Sequence, residues 1–255
     1  MINAMDSPLL VFVLSFFVLW LSTRIGASFL RRHRKLEEDT REDFGVILAA
    51  TLTMLGLLIG FSFSMATGRY DQRKNYEEAE ANAIGTEYVR ADLLPAADAA
   101  KVRALLRNYL DQRVLSYVTR DEQQIRQIDA RTAQLQTELW SAVLAPAAAQ
   151  PTPMVALAVS GMNDVLNSQG YTQAAWRNRI PIAAWGLMAA IAICCNVLVG
   201  YGARNLKPKG ILFLVLPLVV SIAFFLIADI DSPRGGVIRV NPQNLASLVE
   251  SLRAH

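Results

Sequence analysis

The sequence predicts an all-α integral membrane protein with four transmembrane helices and a helical extramembrane domain. Three observations carry this. Apolar residues make up 53% of the 255 positions and charged ones only 18%, where a soluble protein carries about a quarter charged. The apolar surplus is gathered in four blocks, each close to the roughly 20 residues a spanning helix needs. Between the second and third blocks lies a long segment whose apolar residues recur at helical spacings of three and four, with no alternating strand pattern.

The first block runs from Leu9 to about Leu30. Only Arg24 interrupts it, and its long stem lets the guanidinium reach the interface. No Lys or Arg precedes this block and a basic cluster follows it, the order of an uncleaved anchor. The second block runs from Phe44 to Met65, the third from Ile180 to Tyr201 and the fourth from Ile211 to about Ala228. Trp20, Trp176, Trp185 and Tyr201 stand near span ends, where interfacial aromatics belong. Pro181 opens the third span, where a missing N–H costs nothing. Pro217 frees a carbonyl inside the fourth. Asn196, the strongly polar residue of the third span, is expected to hydrogen-bond across helices.

After the second span no helix breaker occurs until Pro95, so that helix is expected to run on well beyond the membrane. A following helix shows Val102, Leu105, Leu106, Tyr109, Leu110 and Val114 on one face. The next, from about Asp121 to Leu144, carries the seam Ile125, Ile128, Thr132, Leu135, Leu139 and Ala142, with Pro146 and the PTP at 151–153 expected to end it. An amphipathic stretch from Met154 to about Asn167 then leads through QGYTQ into the third span. The chain thus divides into residues 1–69 with spans one and two, an extramembrane domain over 70–179, spans three and four over 180–231, and a C-terminal tail over 232–255.

Short loops rich in Lys and Arg stay cytoplasmic. Arg31, Arg32, Arg34, Lys35 and Arg41 fill one, and Arg204, Lys207 and Lys209 the other. This reading sets the protein in the inner membrane, with residues 70–179 on the periplasmic or extracellular side. The net charge of +3 fits such loops. It implies no nucleic-acid partner, because the basic residues are not gathered with aromatics on one element.

Little points to an enzyme. Cys194 and Cys195 are neighbours inside an apolar run and read as small core residues. His33 lies in a basic loop and His255 ends the chain, so no metal set, cofactor or catalytic triad is assembled. Glu77, Glu78 and Glu80 read first as a solvated helix face, and second as an acidic lure for cations.

Two features could carry function. On the second span Thr53, Gly56, Gly60 and Ser64 follow at spacings of three, four and four and share a face. Small residues so placed let backbones approach closely, either against a neighbouring helix or around a pore axis. The second feature is charge at the span ends. Spans two and four must end on the same side, which sets Arg69, Asp71 and Arg73 level with Asp229, Asp231 and Arg234. An Arg69–Asp229 or Arg234–Asp71 pair would clamp the ends together; alternatively, the charges ring a pore mouth and select ions by sign.

The stretches LLIGFSFSMATGRYDQR, EANAIGTEYVRADLLP and DIDSPRGGVIRV, in that order, resemble the bacterial bestrophin-like family. The name implies distant similarity to bestrophins, pentameric anion channels with four spans per subunit, a pore lined by the second helix and a helical cytosolic part. Gly56, Gly60 and Ser64 then correspond in role to a pore helix. The aromatic neck signature and the acidic calcium clasp of bestrophins, the features on which anion selectivity and calcium activation would rest, are missing. The resemblance puts residues 70–179 inside the cell, whereas the loop charges put them outside. The expectation is a homo-oligomeric ion channel, with the lipid bilayer, copies of the chain and inorganic ions as partners. The alternative is a non-conducting sensor or scaffold that binds a partner through its extramembrane helices.

Overall fold

The computed structural model describes residues 7–30, 41–203 and 210–254. The basic residues of the two short loops other than Arg41 lie outside these residues, as do His33 and His255. Among the described residues there is no strand, and the chain is all-α. Among the described residues four stretches are long and apolar enough to cross a membrane. The chain forms two compact units: residues 1–69 with 179–239, and residues 70–178 with 240–255.

In the first unit α1 (Pro8–Ile25) ends in one π-helical turn (Gly26–Leu30), and α2 (Arg41–Arg90) contributes its residues up to Arg69. α6 (Ile182–Gly202) and α7 (Leu212–Asp231) complete it. α1 packs on both α6 and α7. Its contact with α6 is made backbone to backbone. A Cβ added at Gly26 would overlap the Val197 carbonyl, and one added at Gly200 would overlap that of Thr23. Beside these glycines the Thr23 hydroxyl meets Asn196 Oδ1 at 3.1 Å, and Asn196 Nδ2 donates to Ala192 O at 2.8 Å. The expected interhelical bond of Asn196 is therefore made. Edge-on aromatic pairs, Trp185–Phe224 and Phe44–Tyr201, close other contacts of the unit. Pro217 is accommodated inside α7.

The second unit comprises the rest of α2, a 3₁₀ turn (Ala91–Leu93), α3 (Ala96–Val118), α4 (Glu122–Ala149), α5 (Pro153–Arg177) and α8 (Gln243–Arg253). α2 runs unbroken to Arg90, as the absence of a breaker before Pro95 predicts. Asp121 caps α4 by accepting from Gln124 N, and Thr152 caps α5 by accepting from Val155 N, each satisfying an otherwise orphan donor. The core holds Ile84, Val102, Leu106, Tyr109, Leu135, Leu139, Met162 and Leu245, all fully buried. The expected seam of α4 is buried from Ile125 to Ala142.

Two sequence expectations are corrected. Pro146 does not end α4, which continues to Ala149. Only one turn follows it, so the missing N–H forfeits a single bond, and the buried ring packs. α5 does not stop at Asn167 but runs through QGYTQ to Arg177, because Gly170 keeps a negative φ and a single glycine inside a helix costs only about 1 kcal/mol. The C-terminal segment holds α8, which packs against α3.

Candidate functional site

On the membrane part of α2, the residues buried by the chain itself are Leu55, Ser62 and Ala66. At 100° per residue these share one face, and Thr53, Gly56, Gly60 and Ser64 lie roughly 145° round the helix from it. All four are exposed in the single chain. A Cβ added at Gly56 or Gly60 would meet nothing within 4 Å. The Thr53 hydroxyl donates to Ala49 O at 2.9 Å and that of Thr67 to Phe63 O at 3.0 Å, so the hydroxyls are satisfied by their own helix. Only 6% of the apolar stretch of α2 is buried, against 50% for α7. The small-residue face therefore has no close neighbour within its own first unit.

At the end of α7 the two aspartates are divided between tasks. Asp229, buried, accepts from Val237 N and Ile238 N, each at 2.8 Å. The loop after α7 folds back over this carboxylate, and Gly236 has no room for a Cβ beside the Asp229 backbone and Oδ1. Gly235 N donates to Ser232 Oγ at 3.1 Å in the same turn. Asp231 accepts from Ile180 N at 3.1 Å and lies 3.7 Å from the Arg69 guanidinium. The expected Arg69–Asp229 pair is thus replaced by Arg69–Asp231. Residues two apart on a helix point about 200° apart, and Asp229 is already occupied by the returning loop. Arg234 is half-buried in that loop. Asp71, exposed, and Arg73, buried, belong to the second unit's part of α2.

The acidic run of α2 is not a solvated face. Glu78 is exposed, but Glu77 and Glu80 are buried. Glu77 accepts from Leu245 N at 2.9 Å and Asn244 Nδ2 at 2.7 Å, so it sits on the N-terminus of α8, where a carboxylate is favoured. Glu80 takes the Arg113 guanidinium and, at 3.2 Å, the Thr172 hydroxyl. Burial works against the charge of Arg113, yet Glu80 holds its pKa above the ordinary value. Burial, seconded by Glu80, pushes the Tyr109 and Tyr117 hydroxyls up.

Glu87 is a further buried acid that sequence reasoning missed. Neither oxygen has a hydrogen-bond donor among the described residues. Burial pushes its pKa up to about 8, with Arg90 opposing and Asp164 of α5 adding to the rise. The carboxylate fills the space above Gly161 of α5, where a Cβ would overlap it.

Among the described residues no group of three or more His, Cys, Asp or Glu could hold a metal ion. Cys195 is buried as expected, whereas Cys194, about 100° round α6 from it, is exposed.

The bestrophin-like domain matches residues 9–245. The chain belongs to the bestrophin-like family. No curated protein matches it. Among solved structures it is similar to point variants of a bacterial bestrophin homologue from Klebsiella pneumoniae. One, at 13% identity, covers 96% of this chain and 97% of that one with a TM-score of 0.65. Two others, each at 12% identity and covering 95% of this chain, cover 96% and 94% of theirs with TM-scores of 0.63 and 0.62. At such identity the likeness is one of fold. This bestrophin-like chain therefore combines an all-α membrane fold with an open small-residue face on its second membrane helix.

Proposed function

We propose that the protein is a homo-oligomeric membrane ion channel in which α2 lies nearest the axis and Thr53, Gly56, Gly60 and Ser64 line the pore. The observation that carries this reading is the open face of α2. Where the chain uses glycine for close packing, at Gly26 and Gly200, backbone already fills the space; at Gly56 and Gly60 the space is empty. In lipid, small residues gain little unless another backbone approaches or water reaches them. Copies of the same helix around a symmetry axis supply both. Family membership and the fold shared with a bestrophin homologue support the class. Five subunits is the number the bestrophin resemblance suggests. At the end of the membrane part of α2, Arg69 pairs with Asp231 of α7, and with Asp229 and Arg234 these residues are the proposed charged mouth or clamp.

Purified oligomer in liposomes tests the reading. Flux that Gly60→Leu or Ser64→Leu cuts at least tenfold supports it, and flux unchanged by both removes α2 from the pore. A non-conducting scaffold is the second reading, favoured by apolar side chains the second unit leaves exposed, among them Val118, Leu144, Met154 and Leu157. It predicts no flux and a partner bound to that unit.

The same proposal sets the protein in the inner membrane, with the basic short loops inside and the second unit outside. A Gln123→Cys variant, with Cys194 and Cys195 replaced by serine, checks this with an impermeant thiol reagent. Labelling of intact spheroplasts supports the orientation; labelling only after lysis reverses it.

A further inference from the structure

The first unit has a second membrane-level feature that the proposed pore does not use, a groove of about 390 Å³ between α1 and α7. That volume falls in the range of small-ligand clefts. Phe16, Phe17, Trp20 and Arg24 form one wall, and Phe213 and Leu214 belong to the other. The two helices run antiparallel: Phe12 meets Phe225 edge-on at 6.3 Å, while Trp20 and Arg24 share the groove with the first residues of α7. The cationic end of the groove therefore lies where α1 ends, at the membrane boundary.

At that end the Arg24 guanidinium lies 5.1 Å over the Trp20 ring, a cation–π contact that orients it without neutralising it. Among the described residues none of the ion pairs includes Arg24. Charged groups within a membrane span ordinarily have partners. An apolar aromatic trough with a fixed cation at its boundary end matches a ligand that is apolar along its length and anionic at its head.

We propose that this groove binds an anionic phospholipid, with an acyl chain along Phe16, Phe17, Phe213 and Leu214 and its phosphate on Arg24. The site does not depend on whether the protein conducts ions.

Trp20 reports on the site directly. With Trp140, Trp176 and Trp185 changed to phenylalanine, the oligomer is reconstituted in phosphatidylcholine vesicles. Phosphatidylglycerol or phosphatidylcholine brominated on its acyl chains is then added as quencher. The brominated anionic lipid is expected to quench at a mole fraction about fivefold lower than the zwitterionic one, the factor one interfacial cation contributes. Arg24→Gln abolishes that preference and Arg24→Lys retains part of it. Equal quenching by both lipids overturns the proposal, as does a preference that survives Arg24→Gln. Relief of the anionic quenching by inorganic phosphate also overturns it, by assigning the site to a free anion. Native mass spectrometry of the unmodified protein gives a second reading: Arg24→Gln should lose retained phosphatidylglycerol, and unchanged retention counts against the site.

Discussion

Glu77 and Leu245 are joined across the length of the chain: the Leu245 amide donates to Glu77 Oε1 at 2.9 Å, and Asn244 Nδ2 to Oε2 at 2.7 Å. Both carboxylate oxygens are thus spent on the first turn of α8, which Pro242 begins without a side-chain cap of its own. The link ties the end of the chain to the second unit.

Removing this carboxylate should release α8 before anything else unfolds. Glu77→Ala forfeits a charged hydrogen-bond acceptor to buried donors, about 1–3 kcal/mol, while Glu77→Gln keeps one acceptor and loses less. Limited proteolysis should then cut near Val240 in the Ala variant at conditions that leave wild type whole. Amide exchange in α8 should quicken by one to two orders of magnitude. Unaltered exchange at Leu245 would show that the cap contributes nothing.

The Glu80–Arg113 pair is buried on both sides, so the loss of one partner is costlier than the loss of both. Arg113→Met leaves a buried carboxylate with only the Thr172 hydroxyl, and is expected to cost about 3–5 kcal/mol. Adding Glu80→Leu should recover most of that. A double-mutant cycle by urea denaturation in detergent measures it, and additive losses would remove the coupling.

Glu87 makes stability depend on pH in a defined sense. Its folded pKa of about 8 lies above the ordinary 4.5, so between those values the folded chain holds a proton that the unfolded chain releases. Stability is therefore greatest below about pH 4.5 for this group and declines as pH rises to about 8, levelling beyond. The loss is of the order of a few kcal/mol. Glu87→Gln should flatten the decline, so that variant and wild type match at pH 5 and the variant is the more stable at pH 9. Parallel pH profiles would exclude Glu87 as the cause.

What was legible in the sequence follows from which interactions are local. The seam from Ile125 to Ala142 announces itself because helical period and burial coincide. α8 carries the same signal in Leu245, Leu248 and Leu252, too short a run to stand out beside a proline. Glu77 and Glu80 read as solvated because their partners are remote: Leu245, Arg113 and Thr172 lie on other helices, and no pattern along α2 points to them. Asp229 and Asp231 were legible as a pair of special residues, but not their partners, since backbone amides have no sequence signature. Periodicity finds the face of Gly56 and Gly60 without saying what covers it.

The contrast between two sets of glycines separates the fold from the assembly. Gly200→Ala drives a methyl into the Thr23 carbonyl, and overpacking of this kind costs about 1–3 kcal/mol; it should lower the thermal midpoint of the detergent-solubilised protein by several degrees. Gly60→Ala meets open space within the chain, and alanine is the better helix former by up to about 1 kcal/mol. Its fold should therefore be as stable as wild type. Any defect must come from what lies against α2 in the assembled protein. Cross-linking, elution volume and ion flux should change in Gly60→Ala or the bulkier Gly60→Leu while the helical content of the subunit stays constant. If Gly60→Leu leaves assembly and flux untouched as well, the open face of α2 looks onto lipid, and neither a pore nor a subunit contact lies there.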